Sequence, residues 1–115
     1  MTTPEPTSVL FVCLGNICRS PLAEGIFVHL LRQLGLDDTI RVDSAGTGSW
    51  HVGERADQRS REVAGRNGIT LPSRARQVSP DDFESFDWIV AMDRSNLQAL
   101  EELRDEHGGM PDWSS

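Results

Sequence analysis

From Ser8 to Gly35 the apolar pattern changes period once, and abruptly. Ser8–Val12 (SVLFV) is a short β-rich apolar run of the kind that forms a buried parallel strand. From Pro21 onward, Leu22, Ile26, Leu30 and Leu34 fall four apart, with Ala23, Phe27 and Leu31 beside them. That spacing predicts one wide apolar face of a helix. Ser20 suits the N-cap, Pro21 the first helical position and Gly35 the stop. Between strand and helix lies Cys13–Ser20 (CLGNICRS), which follows neither period.

The rest of the chain repeats this alternation. Ile40–Asp43 predicts a second strand, and Ser44–Arg55 a Gly-rich loop carrying Trp50. Asp57–Asn67 predicts a helix with Val63 and Ala64 inward and Gly68 at its end. Arg74–Val78 reads as irregular or weakly extended, and Ser79-Pro80-Asp81-Asp82 as a helix start with Ser79 as cap. Trp88–Met92 is a third strand. Ser95–Glu106 is a helix bearing Leu97, Leu100 and Leu103, ended by Gly108-Gly109 and Pro111. Residues 1–7 read as a disordered polar tail, and 8–115 as a single domain. The fold class is therefore α/β: a doubly wound parallel sheet with helices on both faces. Ligands of such sheets bind beyond the carboxyl ends of the strands. Three loops lie there, after Val12, Asp43 and Met92.

Eighteen acidic side chains against eleven basic ones give a net charge of −7, which argues against nucleic acid as a partner. An anion would have to be held by a local, preorganised site, because the overall field repels it. Every basic residue is Arg, so neither a Schiff base nor a Walker-type phosphate lysine is available. Two cysteines are too few for a disulfide-stapled scaffold, and His29, His51 and His107 lack metal-ligand spacing, so no metal or cofactor is expected. Apolar runs reach only four or five residues, as in Val9–Cys13, against the roughly twenty of a membrane helix. With no membrane span and no signal-like N-terminal pattern, the cytoplasm is the expected compartment.

Cys13, five residues and then Arg19, set between strand and helix, has a chemical logic. A loop that curls into a helix start turns successive backbone N–H groups inward and makes an anion nest from Leu14, Gly15, Asn16, Ile17, Cys18, Arg19 and Ser20. Gly15 and Asn16 tolerate the positive φ angles of a curl. Arg19 can grip two oxygens of a phosphate at once. Cys13 at the bottom would face those dipoles and the guanidinium, all of which favour thiolate over thiol. Ser20 can donate a hydrogen bond to that thiolate. Cys18, in the same curl, could trap an oxidised Cys13 as a disulfide and so act as its redox partner.

Three stretches, VLFVCLGNICRSPLAEGIF, DSAGTGSWHVGERADQR and DDFESFDWIVAMDRSNLQAL, closely resemble the low-molecular-weight protein tyrosine phosphatases in order and spacing. The resemblance covers residue 8 to about residue 104. It implies a phosphotyrosine phosphatase I-like domain, a cysteinyl-phosphate intermediate and no cofactor. It makes Cys13 the nucleophile, Arg19 the phosphate clamp and Ser20 the hydroxyl that tunes the thiolate. Asn16 and Ser44 match the pair that holds the loop in shape. Trp50 matches the aromatic wall that guides a phosphotyrosine protein or small aryl phosphate, with His51 beside it in the pocket. Asp93 reads as the cap of the following helix.

The chain departs from the family pattern twice. Asn67 stands before Gly68-Ile69 where the family usually has a loop-bracing histidine. The family's fourth strand, Asp-Pro-Tyr loop and last helix have no counterpart, since Asp112 in Gly109–Trp113 does not match the acid of that loop. This predicts an uncovered sheet edge at Trp88–Met92 and self-association through it. Two other readings share the loop. One is a catalytically weak phosphate-binding remnant. The other is a thioredoxin-coupled arsenate reductase, which needs cysteines downstream of Cys18.

Overall fold

The computed structural model describes residues 7–71 and 74–106. Its elements run β1 (Thr7–Cys13), α1 (Arg19–Gln33), β2 (Ile40–Gly46), α2 (Gln58–Arg66), α3 (Asp82–Ser85), β3 (Trp88–Ala91) and α4 (Arg94–Glu106). The three strands form a parallel sheet in the order β2-β1-β3. The chain leaves β1 toward β2 and returns on the other side toward β3, so the connections diverge above β1. That divergence opens a crevice at the carboxyl end of the central strand.

Helices lie on both faces, as the alternation predicts. On one face Leu10 and Val12 of β1, with Ala45, Val78, Phe83, Phe86 and Leu100, form the main core under α3 and α4. On the other, α1 crosses β1 and β2, and Phe27 meets Phe11 edge-on at 5.7 Å between ring centroids. α2 packs on α1 through a smaller cluster of Ala56, Ala64 and Leu71 with Leu22 and Ile69.

Several expected boundaries move, each for a tertiary reason. Thr7 is the first residue of β1, paired with Ile40, rather than the end of a tail; residues 1–6 lie outside the described residues. The second strand extends three residues beyond Asp43, because Ser44, Ala45 and Gly46 pair with Phe11, Val12 and Cys13. β3 stops at Ala91, and Met92 donates its N–H to Val12 at 2.9 Å. Ser20 does not cap α1; it lies inside the helix, wholly buried, and Cys18 holds the cap position without a side-chain bond. Asp81, not Ser79, holds the cap position of α3, and the Asp82 carboxylate accepts the Ser79 N–H at 2.8 Å. Asp57 and Asn67 cap α2 rather than belonging to it, and Val63 faces solvent while Ala64 points inward. The expected ending of α4 at Gly108-Gly109 lies outside the described residues.

The apolar face expected on α1 is only partly its buried side: Leu31 is buried, Leu22 packs on the α2 cluster and Phe27 on Phe11. Pro21, Gly25 and Leu31 are buried, and Leu71 sits so close to Gly25 that a Cβ there would collide with it. Ile26, Leu30 and Leu34 remain exposed. Trp88 and Val90 pair with Val9 and Phe11, so they share the sheet face that α1 covers, and they too are exposed. Among the described residues no helix is long and apolar enough to cross a membrane.

Candidate active site

The segment between β1 and α1 is held by its carbonyls. Cys13 C=O accepts from Thr47 N–H at 2.9 Å, Leu14 C=O from Gly48 N–H at 2.8 Å, and Ile17 C=O from Asp57 N–H at 2.6 Å. In a planar trans peptide the C=O and the next N–H point opposite ways. Turning these carbonyls outward therefore turns the amides of Leu14, Gly15 and Cys18 inward. The same three residues line a cavity of about 280 Å³, together with Cys13, Ile17, Arg19, Trp50 and His51. The curl that the sequence predicts between strand and helix is thus present, and Arg19 in the first turn of α1 closes it.

Only one residue of the curl needs the left-handed region: Asn16, at φ 57°. Gly15 is there for a different reason from the one expected. A Cβ at Gly15 would lie 3.0 Å from the His51 ring, so its bareness lets His51 pack against the loop. Gly46 plays the matching part below, where a Cβ would come within 2.8 Å of the Leu14 carbonyl oxygen.

Cys13 is buried at the cavity floor, while Cys18 is exposed, and both thiols are free. The Asn16 N–H donates to Cys13 Sγ at 3.2 Å, and Ser20 Oγ lies 2.9 Å from the same sulfur. Asn16 Nδ2 donates to Ser20 Oγ at 2.8 Å. The single Ser20 hydroxyl proton has two acceptors in reach, the Cys13 sulfur at 2.9 Å and the Ala45 carbonyl at 3.5 Å, of which the sulfur is the nearer. Ser20 thus serves the thiol rather than the helix end, which is why it fails as a cap. At Cys18, partial desolvation and then the charges of Asp57 and Cys13 push the thiol up, against the pull of Arg19.

Arg19, half exposed at the mouth, donates from Nη2 to Asp93 Oδ2 at 2.8 Å. Asp93 uses its other oxygen to accept the Asn96 N–H at 2.8 Å. It is the α4 cap that the sequence predicts, and it also holds the Arg19 guanidinium. The Asn96 amide, and after it Arg19, keep the Asp93 carboxyl below the usual carboxylate range. Hydrogen bonding to Asp93 in turn raises Arg19 above its ordinary value.

Ser44 does not reach the loop directly; its hydroxyl donates to Glu24 Oε1 of α1 at 2.6 Å. Asn67, in the place of the family's bracing histidine, turns Nδ2 back to the Val63 carbonyl at 2.9 Å. Asn16 Oδ1 instead accepts the backbone N–H of Arg76 at 3.0 Å. Nothing in the side-chain pattern marks Arg76 as a site residue, because its contact is made by the main chain. Asp93 could have been found, since an acid just beyond a strand's carboxyl end lies on the ligand side of such a sheet. The Trp50 ring lies across Gly48 and is largely exposed at the cavity rim. His51 Nδ1 pairs with Glu54 Oε2 at 2.7 Å. Among the described residues no group of three or more His, Cys, Asp or Glu is placed to hold a metal ion.

Comparison with known proteins bears on this geometry. The family model for low molecular weight phosphotyrosine protein phosphatase matches residues 8–110. A protein of that name from Schizosaccharomyces pombe is 52% identical over 99 residues, covering 84% of this chain and 62% of the relative. The human protein of the same name is 47% identical over 100 residues, covering 87% and 63%. The chain thus spans under two thirds of the length of these relatives. The crystal structure of YfkJ from Bacillus subtilis superposes with a TM-score of 0.88 at 44% identity, covering 93% of this chain and 68% of that one. A Drosophila protein described as an arginine phosphatase superposes with a TM-score of 0.84 at 43% identity, covering 90% and 65%. The match takes in all three strands and every loop that builds the cavity, and the chain belongs to the low molecular weight phosphotyrosine protein phosphatase family.

Proposed function

We propose that the protein hydrolyses phosphotyrosine and other aryl phosphate monoesters through a phosphocysteine on Cys13. The observation that carries this reading is a buried sulfur that accepts the Asn16 N–H and lies 2.9 Å from the Ser20 hydroxyl, in a cavity lined by the strand–helix loop and Arg19. In the first step the Cys13 thiolate attacks phosphorus; the P–S bond forms as the bond to the aryl oxygen breaks. The loop amides and Arg19 hold the three equatorial oxygens, so catalysis is mostly positioning and charge stabilisation. Water then attacks phosphorus, the P–S bond breaks, and phosphate leaves. The Ser20 hydroxyl stabilises the sulfur as it regains its charge. An activated ester such as p-nitrophenyl phosphate leaves as an anion and needs no proton donor, so it is the first substrate to test. Phosphate binding without hydrolysis of any ester would overturn the reading in favour of a phosphate-binding module.

The arginine phosphatase relative makes phosphoarginine the substrate to compare. Trp50 offers a flat face at the rim, which favours a phenyl ring over a guanidino chain. Parallel assays on a phosphotyrosine peptide and a phosphoarginine peptide are expected to favour the former. Trp50→Ala is expected to raise KM for the aryl substrate about tenfold, the scale of one lost aromatic contact, and to narrow the preference. Faster turnover of phosphoarginine by the parent would reverse the assignment.

Redox sensitivity follows from the same curl. Peroxide takes the Cys13 thiolate to sulfenic acid, releasing hydroxide; the Cys18 thiol then displaces water to form the disulfide. The expected result is a loss of two hydrogens in the peptide holding both cysteines, with activity returning on addition of thiol. Retention of both hydrogens, or no recovery, would remove Cys18 as the partner. We place the protein in the cytoplasm, where reducing conditions keep both thiols free between oxidative events. We also propose that exposed Trp88 and Val90 on β3 support self-association, read as a mass that rises with concentration in light scattering.

A further inference from the structure

Arg76 sits outside the cavity, yet its contacts converge on the loop. Its Nε and Nη2 donate to Asp43 Oδ2 at 3.2 and 3.0 Å. Its Nη1 and Nη2 donate to Asp82 Oδ2 and Oδ1 at 3.0 and 3.1 Å. Asp82 is buried, and Asp43 lies on β2. The guanidinium is therefore fixed on one side to the sheet and on the other to α3. Burial opposes its charge, but the two carboxylates outweigh that and hold it protonated more firmly than usual. The backbone of the same residue is fixed as well, with its carbonyl accepting the Gly46 N–H at 2.8 Å.

What this rigid residue presents to the site is its own N–H, donated to Asn16 Oδ1. Asn16 is the one left-handed residue of the curl and is buried. Both hydrogen bonds to the sulfur run through it: its main-chain N–H reaches Cys13 Sγ, and its Nδ2 sets the Ser20 hydroxyl. We propose that Arg76 is a positioning residue for the Cys13 thiolate, with Asp43 and Asp82 fixing Arg76 so that its amide locks Asn16 and, through it, both donors to the sulfur. The same carboxylates account for the Asp-Asp pair at 81–82, of which only Asp82 is buried against a charge.

The proposal rests on Cys13 being the nucleophile, and the test separates the two. In the full chain, Arg76→Lys, Asp82→Asn and Asp43→Asn are compared with the parent. Two quantities are measured: the pH profile of Cys13 alkylation by iodoacetamide without substrate, and kcat and KM for p-nitrophenyl phosphate. A hydrogen bond to a charged group contributes enough that alkylation near neutral pH should slow by about tenfold, with the profile moving to higher pH. kcat should fall by a similar factor while inhibition by inorganic phosphate changes less, because the peptides that carry the nest amides are held through their carbonyls by Thr47, Gly48 and Asp57 instead. Asp43 is partly exposed, so Asp43→Asn carries the test should Asp82→Asn not fold. Folded variants with the parent's alkylation profile and kcat would overturn the role of Arg76. Turnover by a parent whose Cys13 is fully alkylated would instead overturn the nucleophile.

Discussion

Cys13→Ser is expected to lower turnover of p-nitrophenyl phosphate by on the order of 10⁴-fold or more, the scale seen when a nucleophile acting as part of a unit is removed. Binding of phosphate or vanadate should persist. The two results separate because the sulfur and the nest are built from different parts. The sulfur sits below, with its own donors in Asn16 and Ser20. The proposed oxyanion site is formed by the amides that follow the carbonyls of Cys13, Leu14 and Ile17, and these carbonyls are secured by Thr47, Gly48 and Asp57. A serine hydroxyl keeps the shape but does not ionise near neutral pH, so it cannot attack at a useful rate. Steady-state kinetics gives the first quantity and phosphate protection against thermal unfolding gives the second. Turnover at the parent's rate would show that another group forms the intermediate.

Arg19→Lys is expected to lower kcat/KM by about 10²–10³-fold, the cost of removing a donor aimed at transition-state charge. Arg19 faces two demands. One nitrogen is held by Asp93 at 2.8 Å, and the rest of the fork remains for two phosphate oxygens. An ammonium is a point charge and cannot serve both directions with fixed geometry. Because both side chains of the pair are substantially exposed, Asp93 orients Arg19 without trapping it. Asp93→Asn should therefore be much milder, since Asn still accepts the Asn96 N–H and caps α4. Inhibition constants for phosphate, measured beside kcat/KM in both variants, check this. Parent-like kinetics in Arg19→Lys would remove the clamp from the mechanism.

The strand–loop–helix junction was legible because its period changes within a few residues, and because Cys13 and Arg19 carry their chemistry in their own side chains. The ends of elements were less so. Ser44–Gly46 has no strong strand propensity and extends β2 only because β1 is there to pair with it. Ser20 resembles a cap in sequence, but the buried sulfur and Asn16 compete for its hydroxyl and win. The apolar face of α1 was half right: Leu22, Phe27 and Leu31 pack inward, but Ile26, Leu30 and Leu34 do not, because the closest approach is at Pro21 and Gly25, small residues that periodicity does not weigh. Arg76 was out of reach altogether. Its contribution to Asn16 comes from a main-chain amide that every residue but proline possesses, and one of its carboxylates lies 33 residues away in the chain.

The central place of β1 has a consequence for how the molecule opens. Val12 and Cys13 give their carbonyls to Met92 on one side and Thr47 on the other, and the strand has partners along both edges. Amides in such a strand exchange with deuterium only when the sheet itself comes apart, whereas those of surface loops exchange through small local openings. The wall carrying Trp50 and His51 belongs to the second kind. Hydrogen exchange is therefore expected to be slower at the Cys13 end of β1 than at the cavity rim, so that opening of the rim leaves Cys13 in place.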